Sequence, residues 1–156
     1  MEIHPYERLW ISITVASIVV MLIAIVLAGF GLGFQLPGDA GQVDPRKLAQ
    51  EPPFDKPGTY EVSPGKYQVV MVAFAWGYQP NQVKIPVGSQ VTFKITSRDV
   101  THGFYLEGTN INLMILPGQI AEAKVTFSQP REHIYICHEY CGVGHQAMAG
   151  KVVVEP

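Results

Sequence analysis

The sequence predicts an all-β domain, an antiparallel sandwich or Greek-key barrel, carried behind one transmembrane helix near the N-terminus. Three observations lead there. An uncharged, strongly apolar run extends from Leu9 to Phe34. Beyond Tyr67, several segments alternate apolar and polar side chains with a period of two. Pro, Gly and Asn separate those segments, with no helical period between them, which is the pattern of short strands folded into a sandwich.

A helix over the apolar run would rise roughly 39 Å at ~1.5 Å per residue, enough to cross a hydrocarbon core of ~30 Å with some tilt. Tyr6 and Trp10 suit the aromatic belt at one membrane face. The apolar part of a cleaved signal peptide spans only ~7–15 residues and follows a basic stretch. Here the run is longer, and Glu2, Glu7 and Arg8 ahead of it carry mixed charge. An uncleaved anchor is therefore expected over residues 1–35. The positive-inside count sets Arg8 against Arg46 and Lys47, a small bias toward placing the following domain inside.

Residues 36–66 follow as a tether. Pro37, Pro45, Pro52, Pro53, Pro57 and Pro64 fall in or beside it, which argues against any regular element beyond a short helical turn at 45–50. The β domain is expected over 67–156. In "YQVVMVAFAW" β-branched and aromatic residues dominate. In "VTFKITS" Val91, Phe93 and Ile95 alternate with Thr92, Lys94 and Thr96. In "AEAKVTF" Ala121, Ala123, Val125 and Phe127 alternate with Glu122, Lys124 and Thr126. Such alternation turns one face to a core and the other to water. "HIYIC" and "GKVVVEP" supply further strands, and turn signals fall at 78–81, 86–88, 116–118 and 129–130. A formal net charge of −2 and the lack of any Lys/Arg cluster argue against a nucleic-acid partner.

Between the strand ending at Cys137 and the one starting near Gly150 lies "CHEYCGVGHQAM", residues 137–148. It holds both cysteines of the chain, two of its five histidines and one of its five methionines. A Cys137–Cys141 disulfide would close a very small loop of little entropic value and leave His145 and Met148 without a role. Structural zinc has no use for a thioether. Thiolate, imidazole and thioether together point to copper. A mononuclear copper site needs a single Cys, so the second thiolate is in surplus; two thiolates can instead bridge two copper ions, each ended by one imidazole.

That arrangement needs a second histidine. His4 precedes the anchor, His138 adjoins Cys137 at the wrong spacing, and His133 is expected to face away from the loop. His102, in "SRDVTHGF" between two strands, is the expected partner of His145. Asp99, three residues before it, either orients the ligand loop from outside the donor set or simply forms the turn. His138 reads as an exposed loop histidine, and Met21, Met71 and Met114 as apolar filling.

"CHEYCGVGHQAM" resembles the CuA-binding loop of subunit II of the heme-copper cytochrome c oxidases. "DVTHGFYLEGTNIN", residues 99–112, resembles the family's segment that carries the upstream ligand histidine, and "VMVAFAWGYQPN", residues 70–81, its aromatic strand near the surface that receives electrons. The resemblance covers nearly all of residues 67–156. One anchor, not two, is similar to the small B-type oxidases. The resemblance implies a cupredoxin fold with a dinuclear copper centre. It makes Cys137 and Cys141 bridging thiolates and His102 and His145 terminal ligands, with Met148 and the Glu139 carbonyl as axial donors. It also implies that Trp76 is an exposed aromatic through which electrons arrive; from its neighbours alone, Trp76 is equally a packed member of a strand-end aromatic cluster.

The function so implied is that of the electron-transfer subunit of a terminal oxidase in the cell membrane. It takes electrons from cytochrome c for a heme-containing subunit I that reduces oxygen, with the copper domain on the periplasmic or outer side. Two other readings use the same residues: the corresponding subunit of a nitric oxide reductase, and a membrane-anchored mononuclear cupredoxin or copper carrier.

Overall fold

The computed structural model describes residues 4–32 and 40–156. The chain separates into two compact units, Met1–Phe34 and Gln35–Pro156. Phe34, where the apolar run ends, and the expected boundary at 35/36 lie outside the described residues.

In the first unit, α1 (Pro5–Leu32) is a continuous helix of 28 residues. Pro5 stands at its first position, where a missing N–H costs nothing. Ser12 and Ser17 each donate a hydroxyl hydrogen bond to a carbonyl four residues back, Arg8 O at 2.7 Å and Ile13 O at 2.8 Å, so neither leaves an unpaired polar group on an apolar surface. Leu9, Trp10, Ile18, Leu22 and Leu27 are all exposed. It is a helix long and apolar enough to cross a membrane.

The second unit is a two-layer β sandwich. Its strands are β1 (Gly58–Ser63), β2 (Lys66–Phe74), β3 (Gly77–Gln79), β4 (Gln82–Pro86), β5 (Gln90–Ser97), β6 (His102–Leu106), β7 (Asn112–Ile115), β8 (Ala121–Thr126), β9 (Glu132–Ile136) and β10 (Ala149–Glu155). One sheet runs β1-β2-β5-β8 with β3 also paired to β2; the other runs β4-β10-β9-β6-β7. The sheets are mixed, contrary to the antiparallel expectation, since β2 and β5 are parallel, as are β4 and β10. The cause is the crossover: after β3 the chain leaves the first sheet for β4 in the second and comes back as β5.

Alternation does what the sequence pattern requires. Val91, Phe93 and Ile95 of β5 and Ala121 and Ala123 of β8 point into the sandwich, against Phe104, Leu106, Leu113, Tyr135 and Val152 from the other layer. β2 does not alternate because both its faces are covered. Val69, Met71 and Ala73 join the central core, while Val70 and Val72 pack under Leu48 and Phe54 of the preceding segment. Burying a large apolar side chain is worth about 1.5–3 kcal/mol, so this second cluster fastens the irregular segment to the sheet.

Two local expectations, on β1 and on His133, need correction, and a third is met. β1 lies within the proline-rich stretch expected to hold no regular strand. Pro57 and Pro64 flank Gly58–Ser63 and do not interrupt it, and the strand forms an edge paired only with β2, where proline neighbours are tolerated. The short turn expected at 45–50 is a 3-10 turn, Leu48–Gln50. His133 does not face away: it alternates inward with Tyr135 and Cys137. It stands at the opposite end of β9 from the loop, where its Nδ1 lies 2.8 Å from Glu107 O and its ring meets Phe127 edge-on.

Candidate metal centre

The loop 137–148 closes one end of the sandwich, and its sulfurs are part of the core. Cys137, Cys141 and Met148 are all buried among the central apolar residues. The Cys137 N–H donates to Met148 O at 3.1 Å, which ties the two ends of the loop together. Within it, His145 N–H donates to Gly142 O at 3.1 Å and begins the 3-10 turn His145–Ala147.

Trp76, in the turn between β2 and β3, lies on this loop. Its indole N–H donates to the Cys141 carbonyl at 3.1 Å. Gly142 takes φ +119°, and a Cβ on Gly144 would stand 2.6 Å from Trp76 Cδ2, so only glycine lets the backbone pass under the ring. Trp76 stays 47% exposed; one face packs and the other meets solvent. Tyr140 and Val143, each 81% exposed, extend that apolar surface.

The candidate donors converge. Cys137 and Cys141 are free thiols with sulfurs 3.8 Å apart, far beyond a disulfide bond of ~2.05 Å. Since a metal–thiolate bond is about 2.3 Å for zinc and similar for its neighbours, sulfurs at this separation can share an ion. His102 Nδ1 lies 4.0 Å from the Cys137 sulfur, and His145 Nδ1 lies 3.5 Å from that of Cys141. Met148 Sδ is 3.7 Å from Cys141 Sγ, and the Glu139 carbonyl oxygen 3.2 Å from Cys137 Sγ. The ligand atoms of His102, Cys137 and Cys141 all fall within 4.8 Å of one another. Two sulfurs, two imidazoles, a thioether and a carbonyl are the donor set of a soft, copper-type site. Burial first, and then the neighbouring Cys137, pushes the Cys141 thiol up to about 11, so metal uptake at neutral pH must displace a proton.

His102 opens β6 and does not sit in the preceding connection, as its sequence context suggested. It is fully buried, and its Nε2 lies 2.8 Å from Asp99 Oδ1. Asp99 also accepts hydrogen bonds from Ala75 N–H and Val100 N–H, both at 2.7 Å. Burial alone would raise the Asp99 pKa, but the hydrogen bonds from His102, Ala75 and Val100 outweigh it and hold the carboxyl below its ordinary value. An ionised acceptor on Nε2 fixes the ring with Nδ1 toward the sulfurs. His138 lies outside the donor cluster, its Nδ1 3.5 Å from Glu139 Oε1. Tyr78 and Gly103, which gave no signal in the sequence, also reach the centre. Tyr78 OH donates to Gly103 O, and Gly103 N–H donates to Cys137 Sγ at 3.3 Å. No sequence pattern links residues 25 apart through one hydroxyl.

The family model described as cytochrome c oxidase subunit II, periplasmic domain, matches residues 62–155. Cytochrome c oxidase subunit 2 of Thermus thermophilus is 44% identical over 157 residues, covering 98% of this chain and 94% of that protein. A chain in a cryo-EM structure of a heme-copper terminal oxidase dimer superposes with a TM-score of 0.76 at 33% identity, over 96% of this chain and 99% of that one. The periplasmic domain of cytochrome oxidase subunit II from Bradyrhizobium japonicum gives a TM-score of 0.53 at 19% identity, over 56% of this chain and 83% of that one, a likeness of fold.

Proposed function

This chain belongs to the cytochrome c oxidase subunit II family, and on that premise we propose that its buried cysteine cluster holds a dinuclear copper centre that receives single electrons from cytochrome c. As subunit II of a heme-copper oxidase the chain works beside a partner catalytic subunit, to which oxygen reduction and proton translocation belong. The observation that carries the copper reading is the pair of free thiols with sulfurs 3.8 Å apart at the buried end of the sandwich. A single cupredoxin copper would use one of them. The oxidase kinship of the relatives favours this reading over a nitric oxide reductase subunit or a mononuclear carrier.

A copper pair held there would supply one-electron chemistry, with the charge spread over both metals. The chain's residues do the rest. Cys137 and Cys141 would hold both ions through their thiolates, His102 and His145 would each hold one through Nδ1, and Met148 and the Glu139 carbonyl would be the weaker donors. Asp99 holds the His102 ring, and the loop's hydrogen bonds fix the remaining donors before metal arrives. Core packing around the sulfurs excludes water from the site. Trp76 covers the loop with one face and offers the other, beside Tyr140 and Val143, to the electron donor. Helix α1 anchors the chain in the cell membrane, with the copper domain on the periplasmic or outer side.

The test is to mix the copper-loaded full chain in detergent with reduced cytochrome c and follow heme oxidation. Transfer that slows strongly in Trp76→Phe, at unchanged copper content, is expected. Failure of the wild-type protein to oxidise cytochrome c would contradict the donor assignment.

A further inference from the structure

Gly103 is where β6 touches the metal-binding loop. A Cβ at this position would lie 2.6 Å from His138 Cδ2 and 2.7 Å from the His138 backbone nitrogen. The second of these cannot swing aside, so strand and loop meet backbone to backbone. At this contact the Gly103 N–H reaches the Cys137 sulfur at 3.3 Å. The opposite side of the same residue is held as well, since Gly103 O accepts the Tyr78 hydroxyl.

Tyr78 is built to stay in place. It is 3% exposed, its backbone is paired with Ala73 of β2, and its ring meets Tyr135 edge-on at 5.2 Å and Phe104 at 5.9 Å. Burial first, then the neighbouring Cys137 by charge and by a side-chain hydrogen bond, pushes the phenol far above its ordinary pKa. Tyr135 offers an internal comparison. It is equally buried, in the same aromatic cluster, but its hydroxyl donates to Pro80 O at 3.0 Å, not to the glycine that bonds the sulfur.

We propose that Tyr78 is a positioning residue for the metal centre: its hydroxyl holds Gly103 so that the Gly103 N–H donates to Cys137. The electrochemical consequence rests on the copper reading above. An N–H donor draws electron density from a thiolate, which makes the sulfur a weaker donor to oxidised metal and raises the reduction potential. Tyr78 thus sets the potential of the centre without touching a metal.

The experiment compares Tyr78→Phe with Tyr135→Phe in the full chain in detergent. Each removes one buried hydroxyl from the same cluster. In the copper-free protein, amide hydrogen exchange at Gly103 should speed by about tenfold in Tyr78→Phe, as expected for one lost net hydrogen bond, and not in Tyr135→Phe. In the copper-loaded protein the midpoint potential should fall in Tyr78→Phe alone. Unchanged exchange and potential in Tyr78→Phe, or equal shifts in both variants, would overturn the proposal. If Tyr78→Phe does not fold, 3-fluorotyrosine at position 78 serves instead, as a stronger donor of nearly the same size. Slower Gly103 exchange and a higher potential are then expected, and no change in either overturns the idea. The copper-free arm decides the matter even if the wild-type protein proves to bind a single copper, a result that would defeat only the dinuclear reading.

Discussion

His102 Nε2 lies 2.8 Å from Asp99 Oδ1, and this contact leaves Nδ1 as the ring nitrogen that faces Cys137. A histidine with no solvent exposure cannot turn over without breaking that bond. The same carboxylate receives the N–H of Ala75, next to Trp76. One acidic side chain therefore couples the orientation of a proposed ligand to the β2–β3 turn that carries the covering aromatic.

Asp99→Asn keeps the size of the side chain and removes its charge. Copper affinity, measured by competition with a chelator, is expected to fall by about 10–100-fold, as for other groups that orient a ligand histidine. Affinity equal to wild type would assign Asp99 to turn formation alone.

Gly144→Ala places a methyl group 2.6 Å from the Trp76 ring. Thermal or denaturant unfolding should show a loss of about 1–3 kcal/mol from overpacking. The emission of Trp76 should shift as its indole leaves the Cys141 carbonyl. A fully stable variant with unchanged emission would show that Trp76 is not seated on the loop.

Much of this was legible in the sequence because its physical causes are local. Period-two alternation in Val91–Ile95 and Ala121–Phe127 corresponds to inward-facing residues of β5 and β8. The cluster of sulfur and imidazole in 137–148 announces a metal by composition alone. What remained hidden depends on pairing across the fold. β3 and β7 are too short to show a period, and β6 does not alternate because four of its five residues are buried. The parallel partnership of β2 with β5 depends on a crossover through the other sheet. The continuous apolar run of β2 reflects a second cover made by Leu48 and Phe54, and no pattern within the strand identifies that cover. His133 is the opposite case: its inward orientation, in step with Tyr135 and Cys137, follows from strand alternation, and its distance from the centre from its place along β9, so both are local.

Met148→Leu replaces a buried thioether by a side chain of similar volume, so stability should change by less than about 1.5 kcal/mol. Metal analysis should find copper content unchanged, while voltammetry finds a shifted midpoint potential. Loss of all copper from this variant would contradict a weak axial role.

The central claim is that two thiolates share two metals. Full-length protein purified in detergent and loaded with copper should contain two coppers per chain. Its electron paramagnetic resonance spectrum should show the seven-line hyperfine pattern of one unpaired electron divided equally between two copper nuclei. One copper per chain with a four-line pattern would contradict the claim.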